Sequence, residues 1–201
     1  TLAEARQRFA ALIPQIPDIG QRNVWQFNLD ISAIALALYS TLKAWGFTLP
    51  EAAQITRDSF EAYLQSFPRL LRLVYRWYYF GPLYQHRLRR GAVESQLRRY
   101  PGDWVFTYIE RNGNAFDAGI DITECAIIKF YQAHKAAEFV PYLCELDHTM
   151  GKLFGLGLTR QGTLAEGASL CDCRWKRGAV TSDWTPMPIP DLRIFDRKAS
   201  L

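Results

Sequence analysis

The sequence predicts an α+β protein in which a helical N-terminal half packs on a C-terminal ββααββ unit with an antiparallel sheet. Three observations carry that prediction. Apolar residues recur at three- and four-residue steps through most of positions 1–100. The period switches to two after Pro101-Gly102, where Trp104, Phe106 and Tyr108 alternate with Val105, Thr107 and Ile109. Strand-like runs then stand on both sides of two further helical stretches.

Leu2, Arg6, Phe9, Leu12 and Ile13 define a short amphipathic helix that Pro14 and Pro17 terminate. A second helix is predicted over 28–45, closed by Gly46. A third opens on Thr48, with Glu51 completing a capping box and Pro50 in the first turn. Ile55, Phe60, Tyr63, Leu64 and Phe67 mark its inner face. Residues 69–99 read as a long helix whose arginines form a solvated face and whose aromatics turn to the core. Beyond the first strand, Arg111-Asn112-Gly113-Asn114 supply turn residues ahead of a second strand at 115–121, which makes a β-hairpin. Helices are predicted over 124–134 and 137–154, then strands at 157–165 and 169–177. The tail 178–201, with Pro186, Pro188 and Pro190, has little periodicity and is predicted to be irregular. The whole chain, 1–201, reads as a single domain: a helical half at 1–100, an α+β half carrying the site at 101–177, and the Pro-rich tail.

A length of 201 residues with 49% hydrophobic content is enough to build a sizeable core. The longest apolar run, 31–42, is shorter than the roughly 20 residues a bilayer span requires, so it reads as a buried helix and no transmembrane segment is assigned. Four cysteines allow two disulfides, but a chain this long and apolar has no need of them; reduced thiols and a cytoplasmic setting are expected. The charge is uneven. Between 69 and 99 eight arginines face one acid, Glu94, giving +7 against +4 for the chain. Interleaved with Tyr75, Trp77, Tyr78, Tyr79, Phe80 and Tyr84, this segment has the composition of a nucleic-acid or anionic-membrane surface. No recognised nucleic-acid motif accompanies it, so that reading stands behind the solvated-face one.

The chemistry-bearing residues concentrate between 116 and 177. On a helix, Val140, Leu143, Cys144, Asp147, Met150, Gly151 and Phe154 share one stripe, which places a carboxylate among apolar side chains. A buried carboxylate needs a partner, and Arg160 and Arg174 are the candidate cations. Cys144 stands one turn before Asp147 and His148, although Glu145 and Lys152 beside His148 suit an exposed histidine. Cys125 reads as a packing cysteine on its helix. On the last strand Cys171, Cys173 and Trp175 share one face and Asp172, Arg174 and Lys176 the other, and either face is open as the site. Zinc has enough soft ligands in Cys171, Cys173 and Cys144 with Cys125 or His148, but the paired two-residue-gap knuckles are missing. Thiol chemistry therefore leads, and neither a metal nor a cofactor is assigned.

Three runs, Gly119-Ile-Asp121-Ile-Thr-Glu124-Cys125, Cys144-Glu-Leu-Asp147, and Arg160-Gln-Gly-Thr163-Leu-Ala-Glu166-Gly167 followed by Cys171-Asp172-Cys-Arg174, occur in that order. In them the chain resembles the L-2-amino-thiazoline-4-carboxylic acid hydrolase family, with weaker echoes at IPDIG (16–20) and at 37–53. One departure is Cys173, where the family usually has an aromatic residue. The resemblance implies a small-molecule hydrolase that opens a thiazoline-like ring on a carboxylate substrate. It implies Cys171 as nucleophile or ring-polarising thiol, Asp147 as general base or acid, and Cys144 beside them. Arg160 is implied as a bidentate partner of the substrate carboxylate, with Thr163, Glu166, Asp172 and Arg174 as further substrate-binding residues. Water activated directly by Asp147 fits the same residues. The alternatives are a non-catalytic small-ligand or metal-binding protein of the same fold, or a basic aromatic nucleic-acid or membrane-surface module; assembly into a homo-oligomer is left open.

Overall fold

A computed structural model describes residues 2–21 and 23–184. The prolines that mark the irregular tail, at 186, 188 and 190, lie outside the described residues. Among the described residues there are seven α-helices and one four-stranded antiparallel sheet, in the predicted ββααββ order after the helical half.

Helix α1 (Leu2–Leu12) leads through a 3-10 turn at Ile13–Gln15 into a loop and then α2 (Gln26–Ala44). Leu29, Ala33, Leu36 and Ala37 of α2 are at most 1% exposed, as the apolar run at 31–42 predicts for a buried helix. Gly46 ends it in the left-handed region, φ +86°. Helix α3 (Leu49–Gln65) starts as the capping box requires: the Glu51 carboxylate accepts from the Thr48 amide at 2.8 Å and from its hydroxyl at 2.7 Å.

The long basic helix expected over 69–99 is two helices, α4 (Arg69–Tyr79) and α5 (Pro82–Ser95). The break falls where the chain reaches proline. Gly81 is extended (φ −75°, ψ 155°), because a proline ring disfavours a helical residue before it, and Pro82 then opens α5. Only part of the expected orientation holds. Tyr79 is buried and Tyr75 packs on the core, but Leu70, Leu71, Leu73, Val74 and Trp77 face solvent.

The sheet runs in the order β1-β2-β4-β3, from β1 (Val105–Ile109), β2 (Ala118–Glu124), β4 (Cys171–Trp175) and β3 (Leu158–Thr159). Strand β2 begins at Ala118 rather than 115, because Asn112 and Phe116 close the turn with their own bridge. The strand expected over 157–165 is only Leu158–Thr159; the chain after it leaves the sheet and forms a 3-10 turn at Leu164–Glu166. Helix α6 is Ala126–Ala133, with Cys125 as its extended N-cap rather than inside it. Helix α7 spans Val140–Phe154, entered through a 3-10 turn at Ala137–Phe139 with Pro141 in its first turn.

One face of the sheet lies on the helices. Ile120, Cys171, Cys173 and Trp175 are buried there, and across the register Ile120 faces Cys173 and Ile122 faces Cys171. Trp25 joins the helical half to this core, with ring centroids 5.2 Å from Trp104 and 4.2 Å from Phe106. Polar struts do the same: the fully buried Tyr131 hydroxyl donates to the Ser32 carbonyl at 2.7 Å. Gln85 links the Tyr108 hydroxyl, at 2.8 Å, to the Tyr79 carbonyl, at 2.6 Å.

Candidate active site

Among the described residues Arg160 is the one lysine or arginine that the fold buries, and the candidate site is built on it. Arg160 follows β3 and turns its side chain, 2% exposed, toward α7. Its Nη1 meets the Asp147 carboxylate at 3.2 Å and its Nη2 donates to the Cys144 carbonyl at 2.6 Å. Its Nε has no hydrogen-bond partner among the described residues. Burial opposes the guanidinium charge, but Asp147 and then Cys144, Cys173 and Cys171 act against that, and its pKa stays above the ordinary arginine value. Asp147 is not the buried carboxylate that the stripe on α7 predicts. Its side chain is 46% exposed, so the pair has one buried and one solvent-facing member.

All four cysteines gather around this pair and all are free. Cys171 and Cys173 face inward from β4; Cys125 and Cys144 keep partial exposure at the N-terminus of α6 and on α7. Burial pushes the Cys171 thiol up to about 12, although the Leu164 amide donates to its sulfur at 3.2 Å. Burial likewise pushes Cys173 up to about 12, and raises Cys144 well above an ordinary thiol. Cys125 is also raised by burial, but it is opposed by the amides of Ile128 and Ile127 at the helix start and by Trp104, which lie near the sulfur without the alignment of a capping hydrogen bond. Among the described residues no three His, Cys, Asp or Glu side chains are grouped as a metal site.

The remaining expected residues divide. Thr163, fully buried, donates its hydroxyl to Glu166 at 2.7 Å, and the Ala168 amide returns to the Thr163 carbonyl at 3.0 Å. These two residues shape the loop that supplies the Leu164 amide to Cys171. Asp172 and Arg174 point to the opposite side of β4 from the buried Cys171 and Cys173, as the alternation predicts. Asp172 accepts the amides of Gln161 and Gly162, at 2.9 and 3.1 Å, and so pins the same loop. Arg174 lies 2.8 Å from Asp121 of β2 as an ion pair, and donates to the Ile120 carbonyl at 2.9 Å.

His148 is the residue the sequence hides. Expected at the surface, it is 2% exposed, because residues 178–184 fold back across α7. Its Nδ1 is 2.9 Å from the Ser182 carbonyl, an acceptor, so Nδ1 carries the proton and Nε2 is the bare nitrogen. Nε2 has no partner among the described residues. The Trp184 ring stacks on His148 with centroids 5.4 Å apart and covers the Arg160 guanidinium at 4.8 Å. Burial lowers the His148 pKa, which keeps it neutral. A strap after the last strand gave no periodic signal, and no pattern in the sequence announces it.

A cavity of about 860 Å³ lies elsewhere, between α5 and the loop before β1, and its lining includes none of Cys144, Asp147, Arg160 or Cys171. Its charges are largely paired, Arg98 and Lys129 with Glu124 and Arg90 with Glu94.

The fold is that of an α+β protein, with a thiol, carboxylate and guanidinium cluster between a sheet and two helices. The family described as L-2-amino-thiazoline-4-carboxylic acid hydrolase matches residues 32–175, and the chain belongs to that family. The matched span takes in every motif run from 119 to 174 and leaves out the weaker IPDIG echo. Neither the curated proteins nor the solved structures give a significant match. The family name is that of a hydrolase acting on a small molecule. Among the described residues no helix is long and apolar enough to cross a membrane.

Proposed function

We propose that the protein hydrolyses a thiazoline-like or related cyclic C–N/C–S ring carried on a small carboxylate. The observation that carries this reading is the buried Arg160 guanidinium, bridged to the half-exposed Asp147 and ringed by thiols, in a chain of this family. The carbon to be attacked is bonded to sulfur and nitrogen, as in an amidine. Asp147 takes one proton from water while the water oxygen bonds that carbon. The C=N π pair moves to nitrogen, which takes that proton from Asp147. Asp147 then removes the remaining hydroxyl proton as the C=O bond forms, the carbon–sulfur bond breaks with its electron pair on sulfur, and Asp147 passes this second proton to sulfur, giving a free thiol beside a ureido group. Arg160, with Nε uncommitted, holds the substrate carboxylate by charge and by that N–H. Cys171, a thiol at neutral pH, polarises the ring, and Cys144, whose carbonyl accepts from Arg160, stands beside them. Thr163, Glu166, Asp172 and Arg174 serve by fixing the loop and strand that carry Arg160 and Cys171.

A covalent route has one specific observation in its favour. Burial raises the Cys125 thiol less than that of Cys171, because the Ile128 and Ile127 amides at the start of α6 oppose the shift, so a covalent adduct is expected on Cys125 rather than on Cys171. The test is thiol release from 2-amino-thiazoline-4-carboxylate and a panel of thiazolines, hydantoins and cyclic amidines, followed with a colorimetric reagent. Release without an added cofactor is the expected result. Binding by calorimetry without turnover across the panel would put the ligand-binding reading first.

A further inference from the structure

Helix α4 is inside out. Leu70, Val74 and Trp77 recur at helical spacing and are 69%, 54% and 61% exposed, with Leu71, Leu73 and Tyr78 beside them on the open side. The inward side carries Arg72 and Arg76 with Tyr75 and Tyr79. Arg69, Arg72 and Arg76 join Lys152 in a groove of about 400 Å³ along the edge of that apolar face. Arg76 reaches so close to Gly155, the left-handed C-cap of α7, that a Cβ there would meet Nη1 at 2.8 Å. Among the described residues no carboxylate pairs with these three arginines, and Arg72 Nε is buried with no partner. The two exposed aromatics each meet another arginine: Arg177 lies over Trp77 at 5.0 Å, and Arg87 donates to the Tyr78 hydroxyl at 3.2 Å.

We propose that α4 docks the protein on an anionic lipid surface, its apolar face entering the interface and the arginine groove taking lipid phosphates. An apolar stripe flanked by cations, with tryptophan and tyrosine at their boundary, matches the layering of a bilayer interface: acyl chains, then ester region, then phosphate. Charge decides the occupant. The chain has no Asp or Glu between 62 and 93, so pairing α4 with a second copy would set Arg69, Arg72, Arg76 and Arg87 against their own images. An anionic leaflet supplies both the complement to these charges and the apolar layer.

The full chain should sediment with vesicles of phosphatidylcholine mixed with phosphatidylglycerol and stay in solution with phosphatidylcholine alone. Removing two cations in Arg69→Gln/Arg76→Gln should weaken partitioning roughly thirtyfold, on the scale of juxtamembrane basic residues. Val74→Ser/Trp77→Ser, both exposed positions, should abolish sedimentation while leaving the melting temperature near wild type. Equal binding to both vesicle types overturns the proposal, as does no binding to either. Light scattering that shows a dimer dissociated by Val74→Ser/Trp77→Ser assigns the face to a second copy, and retention on nucleic acid lost in the same variant assigns it there; either overturns the lipid reading.

Discussion

At Asp147 and the four cysteines, exposure separates chemistry from packing. Asp147→Asn keeps a hydrogen-bonding partner for Arg160 at a half-exposed position, so the melt should stay near wild type while turnover falls by roughly a hundredfold or more. A turnover loss that only follows the loss of folded protein would make Asp147 a structural ion-pair partner. Thiol reactivity tests the arrangement independently of the substrate. Cys171 and Cys173, buried and pushed up to about 12, should resist iodoacetamide at neutral pH, while Cys125 at the α6 N-cap labels first by peptide mass mapping. Faster labelling of Cys171 would restore it as the nucleophile. Cys171→Ala discriminates the routes: full activity leaves Asp147-activated water, and complete loss with an unchanged melt gives the thiol a direct role. Asp147 was legible in the sequence because a carboxylate interrupts an apolar stripe. Its degree of burial was not, since periodicity gives a direction around a helix and nothing about what closes over it. Cys125 packs against the core as expected, but a one-residue shift of the boundary makes it the N-cap of α6 and not an interior residue.

At the level of elements, the strap 178–184 against α7 controls how the site is covered. Gly151 lets it approach: a Cβ there would stand 2.8 Å from Thr181 Oγ1, which accepts the Leu158 amide at 3.1 Å. Gly151→Ala should therefore cost about 1–3 kcal/mol by overpacking, seen as a lower denaturant midpoint at unchanged m-value. His148 under the strap links stability to pH. Its folded pKa lies below the 6.5 of the unfolded chain, so the unfolded state binds the extra proton first as pH falls. Stability is then independent of this group above about 6.5, declines below it, and levels off once pH passes the lower folded value. His148→Asn should remove that segment of the pH–stability curve, and an unchanged slope between about pH 7 and 5 would show that the histidine is not the group responsible. The capping box at Thr48 and the strand alternation at 104–109 were readable because each acts through its near neighbours, whereas the break that Pro82 makes in the helix expected over 69–99 was missed although its cause is equally local. The shortness of β3 was not, because Thr159 is followed by a loop held by Asp172, Thr163 and Glu166, whose partners are fixed only in the folded chain. The reversed face of α4 escaped for the same reason, since arginines predict solvent until a neighbouring helix end supplies their surroundings.

Across the whole molecule the helical half and the α+β half share one core, which makes their separate stability testable. Trp25 packs on Trp104 and Phe106, Tyr39 stacks on Phe139 at 4.2 Å, and the Tyr131 hydroxyl crosses to the Ser32 carbonyl. The matched family span, 32–175, likewise crosses the boundary near residue 100 that composition suggests. A single cooperative transition is therefore expected, with circular dichroism and tryptophan fluorescence giving coincident melts. Trp25→Ala removes the ring that joins both halves and should cost about 3–5 kcal/mol. Tyr131→Phe deletes only one hydrogen bond, leaves the ring in place, and should cost about 1 kcal/mol. Fragments 1–100 and 101–201, expressed separately, should each lack near-ultraviolet dichroism and regain it only when mixed. A cut there exposes Trp25, Tyr39 and Leu29 on one side and Trp104, Phe106, Phe139 and Tyr131 on the other, all at most 8% exposed in the intact chain. If either fragment alone shows a cooperative melt with fixed aromatic dichroism, the two halves are separate domains.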